Sequence, residues 1–570
     1  MESGHSPRNR TARAGAPFLL RPVTMASLSP WLAFALSFSV YLVGLRYLGS
    51  GDTVPAENLP ISLLDGRGFD FTELVPGDLP YWFRLVRGRV VSNYPVLPGI
   101  LNLPVYAAAR LLRVDLYANR FHLSMLTASA IAALSALFLY LSLTRVCRTK
   151  PEALFFTLAY AFGTTVWSVA SRGLFQHGPS VLFLSIALWA LYRGGRSVPF
   201  SGLALGLAVI NRPTNLVIAL PLALYVLRYE RRRFPAFAAL ALPPALFHAW
   251  YAKTYWGSPL SLAQDVSRAN FSGRFWPGLA GILISPSRGL FVFSPFFLFA
   301  IPASLEALRP EPAGPRRLPR YMAAGVLLTL ILYARWTMWW GGHTFGYRLI
   351  TEIAPLLTVL VASYWPVLSR SRLATAFFVL SLATSFYAHF LGAMIFPSGF
   401  NNNLDLQIAR LWDVRNSELE LSTRKLIRLA APHWRLAAAA EKVPGIPAPA
   451  AAWWRPDLDD ETIPGWIDGP LDGTSLEGPL EISGWARSRD GEVDVRVAIS
   501  PDGFVPPVER RPRPDVQGTM PQLGDCSRAG WRAVMEKPAA GTTEHVLLVE
   551  MRSPSGRVRR LGPIRFRWKG

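Results

Sequence analysis

Residues 30–48 read PWLAFALSFSVYLVGLRYL, and residues 49–71 continue GSGDTVPAENLPISLLDGRGFDF. The first stretch is apolar over nearly its whole length. A helix needs roughly 20 such residues to cross a bilayer. The second stretch brings four carboxylates, Asp52, Glu57, Asp65 and Asp70, directly after it. A membrane span followed at once by acid decides the class of the protein and poses the question of what the acid does.

Working outward, apolar runs of similar length recur: LSMLTASAIAALSALFLYLSL, ALFFTLAYAFGTTVWSVA, PSVLFLSIALWAL, FPAFAALALPPALFHAW, GLFVFSPFFLFAIPASL, YMAAGVLLTLILYARW, LITEIAPLLTVLVASYW and LATAFFVLSLATSFYAHFLGAMIF. Of the 570 residues, 51% are hydrophobic and only 17% charged, with a mean hydropathy of +0.25. A soluble chain carries about 25% charged residues, so the composition is that of a multi-pass membrane protein. The net charge of +22 does not mark a nucleic-acid binder. Much of it lies in short connections such as RVCRTK, RYERRRF, RPEPAGPRRLPR and SRSR, which the positive-inside rule assigns to the cytoplasm.

Alternate counting predicts about eleven spans, with the N-terminus cytoplasmic and the C-terminus outside. The segment PFSGLALGLAVINRPTNLVIALPLALYVL is expected to form two short helices, because basic loops flank both its ends. The basic start RNRTARAGAPFLLRP lacks a signal-cleavage pattern, and Met25 is a second candidate start. The expected organisation is a basic cytoplasmic tail (1–27), an all-α polytopic membrane domain (28–415), an Ala/Pro-rich linker (416–462) and a small extracytoplasmic β-sandwich (463–570). The sandwich is read from short alternating runs such as LEISGWA and VDVRVAIS. Cys147 and Cys526 fall on opposite sides in this topology, so no internal disulfide is expected.

Polar residues beside lipid are costly and invite a functional reading. Asp52 lies only a few residues past the first span, which sets its depth. The acids Asp65 and Asp70 read as a solvated loop. The following stretch, YWFRLVRGRVVSNYPVLPGILNLPVYAAARLL, suits helices lying along the interface. His177 sits in the short turn SRGLFQHGPS, where lining a cavity and a satisfied turn histidine are equal readings. Arg212, in VINRPTNL, stands at a helix break near membrane depth, where it binds a phosphate or pairs with an acid such as Asp52. Arg288, in GILISPSRGLFVFSP, opens a span and suits an anion site; a snorkelling Arg is the alternative. RWTMWWGGHTFGYRLI places Trp340, His343 and Arg348 in one turn. An aromatic belt accounts for the tryptophans but not for Gly-Gly-His and the following Arg. The chain has no P-loop, no Cys/His cluster of metal spacing and no serine-hydrolase elbow.

GDTVPAENLP, NYPVLPGILNLPVY, QHGP, NRPTN, SPSRGLFVFSP and WWGGHTFGYR together resemble the GT-C superfamily of integral-membrane glycosyltransferases. The resemblance covers about residues 28–415. It is nearest to the branch with protein O-mannosyltransferases, lipid A aminoarabinose transferases and lipopolysaccharide galacturonosyltransferase-like domains. One departure concerns Glu57, which lies five residues after Asp52 where mannosyltransferases often have adjacent Asp-Glu. The C-terminal ISGWARSRDG resembles small β-sandwich modules appended to bacterial glycosyltransferases. The resemblance implies a polyprenyl-phosphate-linked sugar as donor, used at the outer face of a bacterial plasma membrane, and transfer with inversion to a hydroxyl of a glycolipid, glycan or protein. It implies Asp52 and Glu57 as catalytic carboxylates, with Arg212, Arg288, Arg348, His343, His177 and Trp340 binding lipid phosphate and sugar. No cofactor is required by this chemistry, although an acidic loop suits a divalent cation. The competing expectation is a transporter or flippase of lipid-linked sugars, which shares a broken helix and a buried Arg. A glycan receptor anchored by the membrane part is a third, and far more spans are present than an anchor needs.

Overall fold

The computed structural model describes residues 25–75, 79–261, 268–309, 317–396, 408–430 and 463–568, the last apart from 464, 471–473, 477, 489–490, 501–507, 514–515, 517–524 and 537–543. Residues 1–24 of the expected tail and the linker residues 431–462 lie outside the described residues, and residues 25–27, expected as tail, open α1. Helix α1 (Met25–Leu42) is the first apolar run, and α2 (Val54–Leu64) carries the acidic stretch. Strands β1 (Phe83–Val86) and β2 (Arg89–Ser92) form an antiparallel hairpin. This corrects the expectation of interfacial helices there. The apolar, β-branched run on either side of Arg87-Gly88 favours strands, and those two residues take φ of 52° and 77°, as a tight hairpin turn requires. Helix α3 (Leu97–Leu111) follows and exposes Leu111.

The bundle continues with α4 (Arg120–Leu143), α5 (Lys150–Phe162), α6 (His177–Arg193), α7 (Val198–Asn211), α8 (Leu216–Tyr229) and α9 (Phe234–Tyr251). It goes on through α10 (Phe275–Ile284), α11 (Leu290–Phe293), α12 (Ala300–Leu308), α13 (Leu318–Ala334), α14 (Ala354–Leu368), α15 (Arg372–Phe390) and α16 (Glu418–Ala430). Three helical segments, Arg120–Leu143, Arg348–Leu368 and Arg372–Ile395, are long and apolar enough to cross a membrane, and several shorter apolar helices accompany them. One large apolar core joins α1, α4 to α8 and α12 to α15. Gly202 of α7 lies so close to the Phe237 backbone that a Cβ has no room, the small-residue contact that lets membrane helices approach. Outside that core, Trp31, Leu36, Leu220, Leu246, Leu327 and Leu380 are exposed on different helices. Large apolar side chains exposed on so many helices suit a surface that meets lipid.

The segment expected to be two short helices divides at Arg212, whose φ of −152° and ψ of 105° end α7. Part of the expected linker is instead α16. Its Glu418 and Ser422, and Ser417 just before it, are buried, because its amphipathic sequence ELELSTRKLIRLA docks on the bundle.

The C-terminal region is β-rich. Strands β3 (Gly465–Gly469), β5 (Leu480–Ala486), β8 (Gly530–Met535) and β7 (Glu509–Arg511) form one four-stranded sheet. Strands β4 (Thr474–Leu476), β10 (Val558–Trp568), β9 (Glu544–Arg552) and β6 (Asp494–Ser500) form a second. Ile482 and Trp531 of the first share a core with Val497, Leu547 and Trp568 of the second. Cys147 and Cys526 are both free.

Candidate active site

The site is built where the residues after α1 meet the turn before α14. Ser50 caps a short turn, accepting a hydrogen bond from the Asp52 amide at 3.3 Å. The chain then enters α2 with Pro55 in its first turn, a position where the missing N–H costs nothing. Asp52 is therefore held on a rigid corner.

Arg348 comes to it from the other side. Its Nη1 donates to Asp52 Oδ2 at 2.7 Å. Its Nε donates to the Gly341 carbonyl at 3.0 Å, and its guanidinium lies 5.1 Å from the centroid of the Phe175 ring. Gly341 and Gly342 take φ of 79° and 70°, which side chains with a Cβ rarely adopt. This is the physical use of the Gly-Gly pair: it turns the backbone carbonyls inward to hold guanidinium groups. Two tyrosines complete the shell of Asp52. Tyr94 donates to Oδ1 at 2.7 Å and Tyr81 at 3.3 Å.

Burial alone would raise the Asp52 carboxyl. The Arg348 charge and the hydrogen bonds from Tyr94, Arg348 and Tyr81 more than offset it, and Asp52 is held below the usual carboxylate range. The phenols of Tyr94 and Tyr81 are pushed up by burial and by the Asp52 charge, so they remain donors. Glu57 lies a turn further on and differs in every respect. It is 1% exposed, accepts from Thr53 at 2.5 Å and from Tyr47, and its Oε2 has no partner among the described residues. Burial pushes its carboxyl up despite Thr53, Tyr47 and Arg120. Asp52 is a solvent-reaching carboxylate, whereas Glu57 is a buried group that favours its proton.

The other arginines are near but engaged. Arg212 Nη1 donates to Glu352 Oε1 at 2.5 Å and to the Leu349 carbonyl at 3.2 Å. His177 Nδ1 is 2.8 Å from the same Glu352 oxygen. Arg212 thus pairs with Glu352 rather than with Asp52. Arg288 pairs with Glu418 of α16, and its Nε donates to the Trp340 carbonyl at 2.8 Å. Glu418 in turn accepts from the Gly346 amide at 2.9 Å. Burial raises the Glu418 carboxyl to about 7, opposed by Arg288. The Trp340 ring is buried beside Trp339, and His343 is exposed on the turn. Asp65 pairs with Arg67 and Arg110, and Asp70 caps Thr72.

Asp52 and Arg348 are thus brought into contact, while Arg212, His177 and Arg288 surround the same turn through Glu352 and Glu418. Four partners were not singled out from the sequence: Tyr81, Tyr94, Glu352 and Glu418. Glu352 carried a signal, since a lone acid inside LITEIAPLL is expensive. Glu418 carried none. No group of His, Cys, Asp and Glu side chains suited to a metal ion occurs among the described residues. No protein-family model matches the chain, and no curated protein matches it.

Proposed function

We propose that the protein is a membrane glycosyltransferase that moves a sugar from a polyprenyl-phosphate donor to an acceptor hydroxyl of a glycolipid, glycan or protein, with inversion. The observation that supports this most is Asp52, a partly exposed carboxylate kept ionised at the rim of an apolar bundle by Arg348, Tyr94 and Tyr81. An acceptor hydroxyl loses a proton as it attacks the anomeric carbon, and Asp52 is the base that receives it. A base tied to Arg348 is weak. A donor phosphate competes for the same guanidinium, so donor binding frees Asp52 and raises its basicity. Arg348 then stabilises the charge that develops on the departing lipid phosphate.

We take α1, α4 to α9, the α11–α12 segment and α13 to α15 as the spans, about eleven in all. The basic loops at Arg148, Arg231–Arg233 and Arg370 then share the face opposite Asp52. That face is cytoplasmic by the positive-inside rule, which puts the site and the C-terminal β region, read as a sandwich, on the outside of a bacterial plasma membrane. The test is deletion of the gene followed by analysis of surface glycans and glycolipids. One class should lack a single sugar, and purified protein with a polyprenyl-phosphate-sugar pool should restore it. An unchanged envelope together with no transfer by the purified protein overturns the reading.

A transporter of lipid-linked sugars is the second reading. The buried Arg212–Glu352–His177 cluster at a helix break favours it. Uptake of labelled lipid-linked sugar into sealed vesicles without transfer would select it.

A further inference from the structure

Helices α8 and α13 lie side by side and antiparallel. At one end the hydroxyls of Thr214, just before α8, and Tyr333 of α13 are 2.8 Å apart. At the other end Tyr225 and Tyr229 of α8 meet Tyr321 of α13, with ring centroids 5.7 and 6.1 Å apart. Arg212, 5.1 Å from the Tyr333 ring centroid, belongs to the first end. The 14 residues of α8 carry the chain about 20 Å to the second, on the face opposite Asp52.

That far end gathers positive charge from two segments distant in sequence. The guanidinium carbons of Arg228 and Arg317 lie 5.9 and 4.7 Å from the centroid of the same Tyr229 ring, where cation–π attraction holds them. Glu230, the one carboxylate within residues 225–234 and 317–321, pairs with Arg233. No carboxylate pairs with Arg228 or Arg317 among the described residues. Arg320 has a different task. It donates to the Ala307, Leu308 and Arg309 carbonyls at 3.1, 3.3 and 2.9 Å, which ties the start of α13 to the end of α12. The frame is thus fixed by Arg320, and two cations without an anion are drawn to one ring inside it.

An independent feature leads to the same place. Leu216, Leu220, Leu224 and Leu227 are all about half exposed. Their spacing of four, four and three residues puts them on one face of α8. Arg228, four residues after Leu224, stands at the end of that face. An apolar strip the length of one helix therefore runs up to the two arginines and the tyrosine ring.

We propose that this end of α8 and α13 is a binding site for an anionic phospholipid of the leaflet opposite Asp52, with its phosphate held between Arg228 and Arg317. The leucine strip takes an acyl chain, and Tyr229 meets the glycerol region, where aromatic rings with a polar tip sit well. Exposed leucine by itself suits any lipid. The two cations without an anion select among lipids, because a zwitterionic head group already carries a cation beside its phosphate. Guanidinium groups bind phosphate through paired N–H donors, and basic pockets between membrane helices recognise such head groups. The site asks nothing of the transferase reading and stands or falls apart from it.

The experiment uses the full chain in nanodiscs of equal parts phosphatidylcholine and phosphatidylglycerol. The lipids that stay on the protein are measured by native mass spectrometry. The wild type should retain phosphatidylglycerol well above phosphatidylcholine. R228Q and R317Q should each weaken that preference about fivefold, the worth of one basic side chain at an anionic surface. R232Q removes the same charge from the exposed neighbouring loop and should change the preference by less than about twofold. Glycerol 3-phosphate, which has no acyl chain, should not displace the lipid at millimolar concentration. Equal retention of the two lipids by the wild type overturns the proposal. So does an equal loss in R232Q and R228Q, which would make the preference a matter of loop charge. Displacement by glycerol 3-phosphate also overturns it, in favour of a soluble phosphate ligand. Should R317Q fail to insert, R228Q against R232Q decides.

Discussion

Two Arg–carboxylate pairs sit on the same turn and behave as different devices. In Arg288–Glu418 the side chains are 1% and 0% exposed, and further hydrogen bonds go to backbone groups of Ser287, Trp340, Gly342 and Gly346. In Arg348–Asp52 they are 10% and 18% exposed, and the other partners of Asp52 are two tyrosine hydroxyls. The first pair is closed. It ties α16 to the glycine turn and has nothing left to offer a substrate. The second is open on one side, and its partners can be exchanged for those of a ligand. Similar residue types therefore serve as a strut in one place and a reactive pair in the other, and access to solvent makes the difference.

The largest effect should come from the open pair. Asp52→Asn keeps the shape and removes the base, so transfer should fall about 100- to 10,000-fold with normal accumulation in the membrane. Glu57→Gln should cost far less, because Glu57 is already inclined to hold a proton. A reversed order in a transfer assay on purified variants would break the comparison at its root.

The closed pair should show itself in stability instead. Glu418→Ala leaves Arg288 buried and uncompensated, at a cost of about 3–5 kcal/mol, visible as a lowered unfolding temperature. Joint replacement by Glu418→Leu and Arg288→Met should recover much of the loss. If Glu418→Ala were as stable as wild type but inactive, the strut would have to be counted as part of the chemistry.

Arg348→Lys keeps charge and loses the planar fork that reaches both Asp52 and Gly341. Transfer should fall about tenfold to a hundredfold, the worth of one charge-assisted hydrogen bond. Arg348→Gln should also move the acid limb of the pH–rate profile to higher pH, because the first opponent of burial at Asp52 is then gone. The lowered pKa has a matching stability consequence. The contribution of this pair is present above the ordinary Asp value of about 3.9 and is lost as pH falls through the lowered folded-state value. An acid limb that stayed in place would detach Arg348 from Asp52.

The smallest effect is expected at Asp65, whose partners Arg67 and Arg110 are 25% and 50% exposed. Asp65→Asn should change stability by no more than about 0.5 kcal/mol and transfer by less than about twofold. A larger loss would extend the working region into the loop.

The apolar runs, the acid after the first span and the break at Arg212 could be read directly from residue order. Hydrophobic length and the cost of charge near lipid are local properties, and so are the alternating strands of the C-terminal region. The Arg87-Gly88 hairpin is equally legible through its turn residues, but the aromatic and arginine residues around it suit interfacial helices just as well. What residue order could not divide was the set of arginines. Arg212, Arg288 and Arg348 look alike in sequence, each beside a helix boundary. Their acids, Glu352, Glu418 and Asp52, lie 140, 130 and 296 positions away along the chain. Pairing and desolvation depend on which distant segments the packed bundle brings within a few ångströms, so only the tertiary structure could decide which acid each cation meets and how far the pair is shut off from solvent.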